Sequence, residues 1–250
     1  MECGGSVFCQ HIHTLNPIPD VTGEPMVKIA QVAGFLGSGK TTFLIELAKI
    51  LVDRGHKIAI IVNDVGEINV DVKIVEMYGL RAKEISGGCI CCQIAGNFAN
   101  TIAVLQKTFR PDIIIVEPSG VAIPWGLKRA AEYSEEEMDG ETIVHAPVIT
   151  LVDSLRIDEL MTSVRRLVET QIREADVVFI NKVDSALKEK IELAVTFSKS
   201  INPGAEIMYG SGRNNQGVKE AADLIETRTS PRYDESYEKE MLKKNYGGKG

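Results

Sequence analysis

One nine-residue segment constrains the fold of this chain more than any other feature of its sequence. Residues 34–42 read Gly-Phe-Leu-Gly-Ser-Gly-Lys-Thr-Thr, the pattern of a phosphate-binding loop. A strand-like apolar run, Val27–Ala33, precedes the loop, and a segment with apolar residues at helical spacing, Thr41–Leu51, follows it. This order places glycine-rich backbone N–H groups and the positive end of a helix dipole around the same anion.

The loop also assigns roles to its own residues. Lys40 is predicted to reach the β- and γ-phosphates, and Thr41 to offer its hydroxyl to Mg²⁺, a hard cation that prefers oxygen ligands. The phosphate-binding residues predicted from the loop are Gly37, Ser38, Gly39, Lys40, Thr41 and Thr42.

Short β-branched runs alternate with helical patterns along the rest of the chain. The remaining predicted strands are Lys57–Val62, Asp112–Val116, His145–Val152, Asp176–Ile180 and Ala205–Met208. The remaining predicted helices are Ala95–Phe109, Thr162–Glu174, Ala186–Lys199 and Val218–Glu226. The alternation predicts an α/β fold of the P-loop NTPase type, with a mostly parallel sheet and helices on both faces. Ligands of such sheets bind beyond the carboxyl ends of the strands.

Length and composition limit the organisation. With 250 residues, 44% of them hydrophobic, the chain suits one domain, which we place at residues 26–227. Proline-rich residues 1–25 are expected to form an extended arm, polar residues 228–250 a mobile tail, and the acidic stretch 132–141 a solvated loop. The net charge of −7 argues against nucleic-acid and anionic-membrane partners. Without a signal-peptide core or a membrane span, the chain is expected to be cytoplasmic.

A second motif predicts which base is bound. Asn181, Lys182 and Asp184 form an Asn-Lys-x-Asp sequence at the end of a predicted strand. A carboxylate at position 184 can accept two hydrogen bonds from the N1–H and amino groups of guanine, whereas adenine offers no matching pair of donors. The segment 211–217, with Ser211 and Arg213, could close over the base, although an ordinary loop leading into a helix explains it equally well.

Two further segments are candidates for sensing the γ-phosphate. Glu117 follows an apolar strand and is assigned to Mg²⁺ or the attacking water, and the backbone N–H of Gly120 could contact the γ-phosphate. Residues 63–67, with Asp64 and Glu67, are predicted to form the facing switch. A solvated acidic turn is the alternative for 63–67.

A cysteine cluster lies between these segments in the sequence. Cys89 and Cys91 point to the same side of an extended chain and can both reach one metal ion, whereas Cys92 needs a turn. A further ligand must come from Glu67, water, the arm or a second protomer. Sulfur favours Zn²⁺, Co²⁺, Ni²⁺ or Cu⁺ over Mg²⁺. Inert buried thiols or a redox pair remain alternatives.

The arm carries a weaker metal signal. Its candidate ligands are Cys3, Cys9, His11 and His13. Incidental residues in a disordered segment explain this set at least as well as metal binding does.

Taken in order, these motifs resemble those of the CobW-type GTPases, a group of metallochaperones that includes HypB and UreG. The resemblance covers roughly residues 27–226, and Gly-Cys-Ile-Cys-Cys at 88–92 is its most discriminating element. It implies that GTP binding organises the cysteine site, that dimers form across the nucleotide, and that hydrolysis releases metal to a client.

The sequence therefore predicts a GTPase of low intrinsic turnover that carries a transition metal (Zn²⁺, Co²⁺ or Ni²⁺) at Cys89, Cys91 and Cys92 to a client metalloprotein or cofactor-assembly protein. Lys40, Glu117 and Asp64 are the predicted catalytic residues. Two alternatives stay open: a P-loop kinase with structural cysteines, and a GTP/GDP switch that binds a partner protein without a metal cargo.

Overall fold

The computed structural model describes residues 26–62, 81–84, 94–138, 140–236 and 239. The strands are β1 (Met26–Gly34), β2 (Ile58–Val62), β3 (Arg81–Glu84), β4 (Ile113–Glu117), β5 (Thr142–His145), β6 (Ile149–Asp153), β7 (Val177–Asn181) and β8 (Glu206–Tyr209). The helices are α1 (Lys40–Asp53), α2 (Ile94–Thr108), α3 (Pro124–Glu132), α4 (Ile157–Ser163), α5 (Arg165–Arg173), α6 (Lys188–Ile201) and α7 (Val218–Thr227). A 3₁₀ turn, Tyr133–Glu137, follows α3.

The strands form one sheet in the order β3-β2-β4-β1-β6-β7-β8, with β5 also paired to β1. Every pairing between these strands is parallel. The first half of β1 pairs with β5 and its second half with β6, so these two short strands share one side of the central strand. The α/β prediction with a mostly parallel sheet is confirmed.

Helices cover both faces of this sheet because strand side chains alternate between the faces. On one face, α1 and α7 pack on residues such as Ile60, Ile115 and Phe179. On the other face, α2 and α3 cover one half of the sheet, around Ile61 and Ile114. Helices α4, α5 and α6 cover the other half of that face. The strands are therefore buried on both sides, as their nearly continuous apolar sequences require.

Three sequence predictions were wrong in detail. The single strand at 145–152 is divided between β5 and β6, with Pro147 in the gap, because proline has no N–H to donate to a sheet. The single helix at 162–174 is divided at Val164, where φ is −133°. The acidic stretch after residue 132 forms the 3₁₀ turn, and Glu135 in that turn accepts a hydrogen bond from the backbone N–H of Ile143.

Residues 228–236 run beside α3. The backbone N–H of Ser230 donates to the carbonyl oxygen of His145 at 2.7 Å, and its hydroxyl donates to Asp176 at 2.6 Å. Arg232 forms an ion pair with Glu135 at 2.7 Å. The domain boundary at 227 and the mobility of 228–250 stay predictions, but these nine residues make specific contacts with the sheet and with the 3₁₀ turn.

A cluster of ionisable side chains lies beneath this segment, and we call it the α3 polar cluster. Its members are Lys128, Glu132, His145, Glu174 and Asp176. The imidazole of His145 is buried and lies 3.0 Å from Glu132, while Glu174 accepts a hydrogen bond from the backbone N–H of Trp125 at 3.0 Å. Glu174 therefore caps the amino end of α3.

Candidate functional site

The phosphate-binding loop joins the carboxyl end of β1 to the amino end of α1. Gly39 precedes the helix with φ 92°, a left-handed conformation that favours glycine. A Cβ at this position would lie 2.5 Å from the Asn181 amide nitrogen. Gly39 has no side chain with which to cap α1, and the first N–H groups of a helix favour an anion.

The first turn of α1 meets the carboxyl end of β4. The Thr41 hydroxyl donates to the Glu117 carboxylate, with oxygen distances of 2.8 and 2.9 Å. Glu117 ends β4 and is only 4% exposed, and Lys40 extends toward the Phe35 carbonyl at 3.5 Å. The hydroxyl and carboxylate form the set of hard oxygen donors that Mg²⁺ prefers, so these two residues fit the ion predicted for them.

Gly120 lies directly against the phosphate-binding loop. A Cβ at this position would lie 2.7 Å from the backbone nitrogen of Leu36, so only glycine allows this approach. The side chain of Gln171, on α5, donates to the carbonyl oxygens of Gly120 and Ala122 at 3.1 and 3.0 Å. The segment after Glu117 is thus held against the loop by a buried amide that the sequence reasoning did not identify.

The predicted base-reading residues also reach the loop. Asn181 donates to the Ser38 carbonyl at 2.7 Å and accepts from the Gly212 N–H at 3.1 Å. Lys182, with φ 65°, donates to the Gly37 carbonyl at 2.7 Å. One amide therefore links the phosphate-binding loop to the segment that begins at Ser211.

Asp184 is exposed at the end of this motif. Hydrogen bonds from the side chains of Ser211 and Ser185 lower the pKa of its carboxyl group, and Arg213 adds a smaller favourable charge. The carboxylate is therefore ionised at neutral pH, in the state that accepts two hydrogen bonds. Ser211 itself is 1% exposed, whereas Thr42 and Arg213 face solvent.

The structure brings most predicted nucleotide residues to one end of the sheet, which we call the nucleotide edge. It consists of the loop 34–42, Glu117–Gly120, Asp153–Arg156, Asn181–Asp184 and Ser211–Arg213. Asp153 and Arg156 were missed, although Asp153 follows an apolar strand just as Glu117 and Asn181 end theirs.

The predicted transition-metal ligands lie outside the described residues. They are Glu67, Cys89, Cys91 and Cys92, together with Cys3, Cys9, His11 and His13 of the arm. The predicted catalytic residue Asp64 also lies outside the described residues. Within the part of the chain that is described, no group of three or more His, Cys, Asp or Glu side chains could hold a metal ion. The described helices also include none that is long and apolar enough to cross a bilayer.

Comparison with known proteins identifies a family to which this sequence is similar. Residues 28–209 match the family "CobW/HypB/UreG, nucleotide-binding domain". The zinc chaperone CobW of a Sinorhizobium species is 33% identical over 178 residues, which cover 61% of this chain and 50% of that protein. The zinc-regulated GTPase metalloprotein activator 1 of Dictyostelium discoideum is 28% identical and aligns with 83% of this chain and 50% of its own. The chain thus spans about half the length of these curated relatives.

Solved structures agree on the fold. The hydrogenase maturation factor HypB of Archaeoglobus fulgidus superimposes with a TM-score of 0.55 at 22% identity, covering 81% of this chain and 89% of that one. HypB of Helicobacter pylori, solved in complex with nickel, gives a TM-score of 0.54 at 18% identity, with 90% and 91% coverage. At these identities the likeness bears on architecture alone.

Proposed function

Because this chain belongs to the CobW/HypB/UreG family of nucleotide-binding domains, we propose that it is a GTP-hydrolysing metallochaperone. It binds a transition metal and delivers that metal to a client protein or cofactor pathway under nucleotide control. One observation carries the nucleotide half of the proposal: hydrogen bonds join the phosphate-binding loop to Glu117, through the Thr41 hydroxyl, and to Asn181, through the Ser38 carbonyl.

Guanine is the proposed base. The ionised, exposed carboxylate of Asp184 suits the paired donors of guanine, and the buried Asn181 holds the neighbouring loop in place. Lys182 is fixed at its far end on the Gly37 carbonyl, so its aliphatic stem can cover a ring face. Adenine offers Asp184 no matching pair of donors.

Hydrolysis of GTP would depend on positioning and charge neutralisation. Lys40 and the first N–H groups of α1 bind the phosphates, while Thr41 and Glu117 would hold Mg²⁺. When bound, Mg²⁺ neutralises charge on the phosphate oxygens. Glu117 or Asp64 orients the attacking water, and the N–H of Gly120 contacts the γ-phosphate. We expect low intrinsic turnover.

The proposed cargo site consists of Cys89, Cys91 and Cys92, with Glu67 as a further ligand. Topology supports its coupling to the nucleotide. Strand β2 ends at Val62, whose sheet partners are Glu117 on one side and Glu84 on the other. The carboxyl ends of β2 and β3 therefore lie at the same edge of the sheet as Glu117, and residues 63–67 and the cysteines come after these two strand ends in the sequence. The names of the zinc-chaperone relatives support Zn²⁺, with Co²⁺ and Ni²⁺ as alternatives.

A nucleotide-dependent homodimer is part of the proposal. Leu36, Val121 and Leu155 are 44–52% exposed. Leu36 and Leu155 belong to two segments of the nucleotide edge, and Val121 directly follows a third, Glu117–Gly120. Leu36 contacts Gly120, and the carbonyl of Leu36 accepts a hydrogen bond from Arg156, so the three segments adjoin. A second copy could cover this apolar surface when GTP orders it. The client would be a metalloprotein or a cofactor-assembly protein.

A Co²⁺ titration tests the proposal. Thiolate ligation produces a charge-transfer absorbance, which we would follow with a non-hydrolysable GTP analogue, with GDP and without nucleotide. We expect Co²⁺ affinity to differ between the nucleotide states by at least about 5-fold, the lower range of ordinary allosteric coupling. The triple substitution of Cys89, Cys91 and Cys92 by Ser should abolish the absorbance but leave GTP binding in place. Equal Co²⁺ affinity in all three states would refute nucleotide control.

A further inference from the structure

A fully buried carboxylate lies behind the phosphate-binding loop. Asp153 ends β6 and has 0% exposure. One of its oxygens accepts from the Lys182 ammonium at 2.7 Å and from the Arg156 guanidinium at 2.9 Å. The other oxygen accepts from the backbone N–H of Leu155 at 3.0 Å. A buried charge needs such partners, because an unpaired carboxylate would be strongly destabilising there.

Both cations paired with Asp153 also donate hydrogen bonds to the phosphate-binding loop. Arg156 donates to the Leu36 carbonyl, and Lys182 donates to the Gly37 carbonyl at 2.7 Å. The next carbonyl, that of Ser38, accepts from Asn181 at 2.7 Å. Three successive carbonyl groups of the loop are therefore held by side chains, and two of those side chains, Arg156 and Lys182, also donate hydrogen bonds to Asp153.

The direction of these carbonyls determines the direction of the phosphate-binding N–H groups. In a planar trans peptide the C=O and the following N–H point to opposite sides. Holding the carbonyls of Leu36 and Ser38 on the protein side thus turns the N–H groups of Gly37 and Gly39 away from it. Preorganised donors of this kind bind an anion without first having to be reoriented.

We propose that Asp153 is a positioning residue for guanine nucleotide binding, acting through Lys182 and Arg156 to hold the phosphate-binding loop and the base-reading loop in one arrangement. This inference rests on the proposed function. Because Asp153 is fully buried, its effect on the nucleotide would pass through these two cations. Its loss would free two cations from the loop at once, and so weaken the binding of GDP and GTP alike.

Asp153→Asn tests the inference while keeping the volume of the side chain. We expect the affinity for fluorescent GDP and GTP analogues to fall about 30-fold, the equivalent of losing one buried charge partner. KM for GTP should rise with it, while kcat stays within about 3-fold, because the interaction is present before and after substrate binding. Asp158→Asn is the matched control, since it removes a carboxylate paired with Lys190 on the surface of α4. Its affinity should equal that of the wild type.

A double-mutant cycle separates positioning from a general loss of stability. Arg156→Gln alone should weaken binding about 5-fold, and combining it with Asp153→Asn should weaken binding by less than the product of the single effects. A purely structural role would lower the denaturation temperature without nucleotide and leave the affinity of the folded protein unchanged. That result, or fully independent effects, would overturn the inference.

Two further outcomes are decisive. If Asp153→Asn does not fold, Arg156→Gln carries the test, because its side chain is 36% exposed, and unchanged affinity in that variant would overturn the inference. If the wild type binds guanine nucleotides and both variants bind them with the same affinity, only the positioning role of Asp153 is refuted, and the proposed function stands. If the wild type binds no guanine nucleotide, the proposed function fails first, and the inference with it.

Discussion

The nucleotide edge and the α3 polar cluster both bury charged side chains, but in different ways. At the nucleotide edge, Asp153 has three donors, and its two cations also bind loop carbonyls. In the α3 polar cluster, one oxygen of Glu174 and the Nδ1 atom of His145 are buried without a hydrogen-bond partner among the described residues. Burial raises the pKa of Glu174 to about 8, and burial also lowers the pKa values of Lys128 and His145.

This difference separates a site prepared for a ligand from a site that supports the fold. The nucleotide edge pairs its buried carboxylate with two cations that also bind loop carbonyls, and this leaves N–H donors of the loop for a phosphate. In the α3 polar cluster, burial favours the neutral forms of Glu174, Lys128 and His145, so the contribution of these groups to stability depends on pH. We therefore expect substitutions at the first site to change binding and substitutions at the second to change stability.

The largest expected effect comes from Lys40→Met. Removing the cation that reaches the phosphates should reduce kcat/KM for GTP by about 100- to 1,000-fold, the range seen when one preorganised donor is lost. Steady-state phosphate release would measure it, with Lys49→Met as the control because Lys49 pairs with Glu46 on the same helix. Near-normal turnover in Lys40→Met would place hydrolysis elsewhere in the chain.

Asp184→Asn should change which base is preferred. We expect about 100-fold weaker GTP binding, because an amide cannot accept both guanine donors. Binding of xanthosine triphosphate, which offers an acceptor in place of the amino group, should improve. Competition against a fluorescent nucleotide would measure both changes. Equal losses for GTP and xanthosine triphosphate would argue against base reading by this residue.

Glu174→Gln should alter the pH dependence of stability. The pKa of about 8 in the folded protein exceeds the ordinary glutamate pKa of 4.5, so the native state binds more protons than the unfolded state between these values. Stability from this group is fully present below pH 4.5 and is lost as pH rises toward 8. The wild type should thus lose on the order of 2 kcal/mol more than the variant between pH 5 and pH 8.

Urea denaturation at several pH values would measure that difference. Glu159→Gln is the control because Glu159 is exposed on α4, and its curve should run parallel to the wild type. A parallel curve for Glu174→Gln would show that the carboxyl group titrates as an ordinary glutamate. GTP affinity at pH 6 should be unchanged in both variants.

The smallest expected effect is that of Arg232→Ala. Its ion pair with Glu135 is about half exposed at the arginine, so we expect a loss of about 0.5 kcal/mol in unfolding free energy. Thermal denaturation at low and high salt would measure it, with the exposed Lys188→Ala as the control. Weaker GTP binding in Arg232→Ala would show that the region around α3 is coupled to the nucleotide edge, contrary to the contrast drawn above.

The sequence anticipated the parts of this molecule that depend on local patterns. The central strands could be recognised because they are short apolar runs, and the phosphate-binding loop and Asn181 because they stand at the ends of such runs. Helix α3 was missed, although Pro124 is a common first residue of a helix, because it has only nine residues and its buried face (Pro124, Leu127, Ala130 and Ala131) contains a single large aliphatic side chain. Strand β3 was missed because its four residues, Arg81–Glu84, include three charged ones.

Long-range pairing is what the sequence could not supply. Gln171 supports Gly120 from 51 residues away, and Asp153 meets Lys182 from 29 residues away. Neither residue belongs to a motif, and each has an ordinary alternative explanation as a helix or strand terminus. Their roles emerge only when the sheet order places β6 between β1 and β7.

The bond from Ser230 to the carbonyl of His145 has a mechanical consequence. His145 ends a strand whose neighbour is the central strand β1, so the chain beyond α7 is anchored to the middle of the sheet. Tension on residues after 236 would load this bond, Asp176 and the 3₁₀ turn before it reached the last helix. A force from a domain fused there would thus act first on the contacts beside α3, the helix that begins four residues after Gly120.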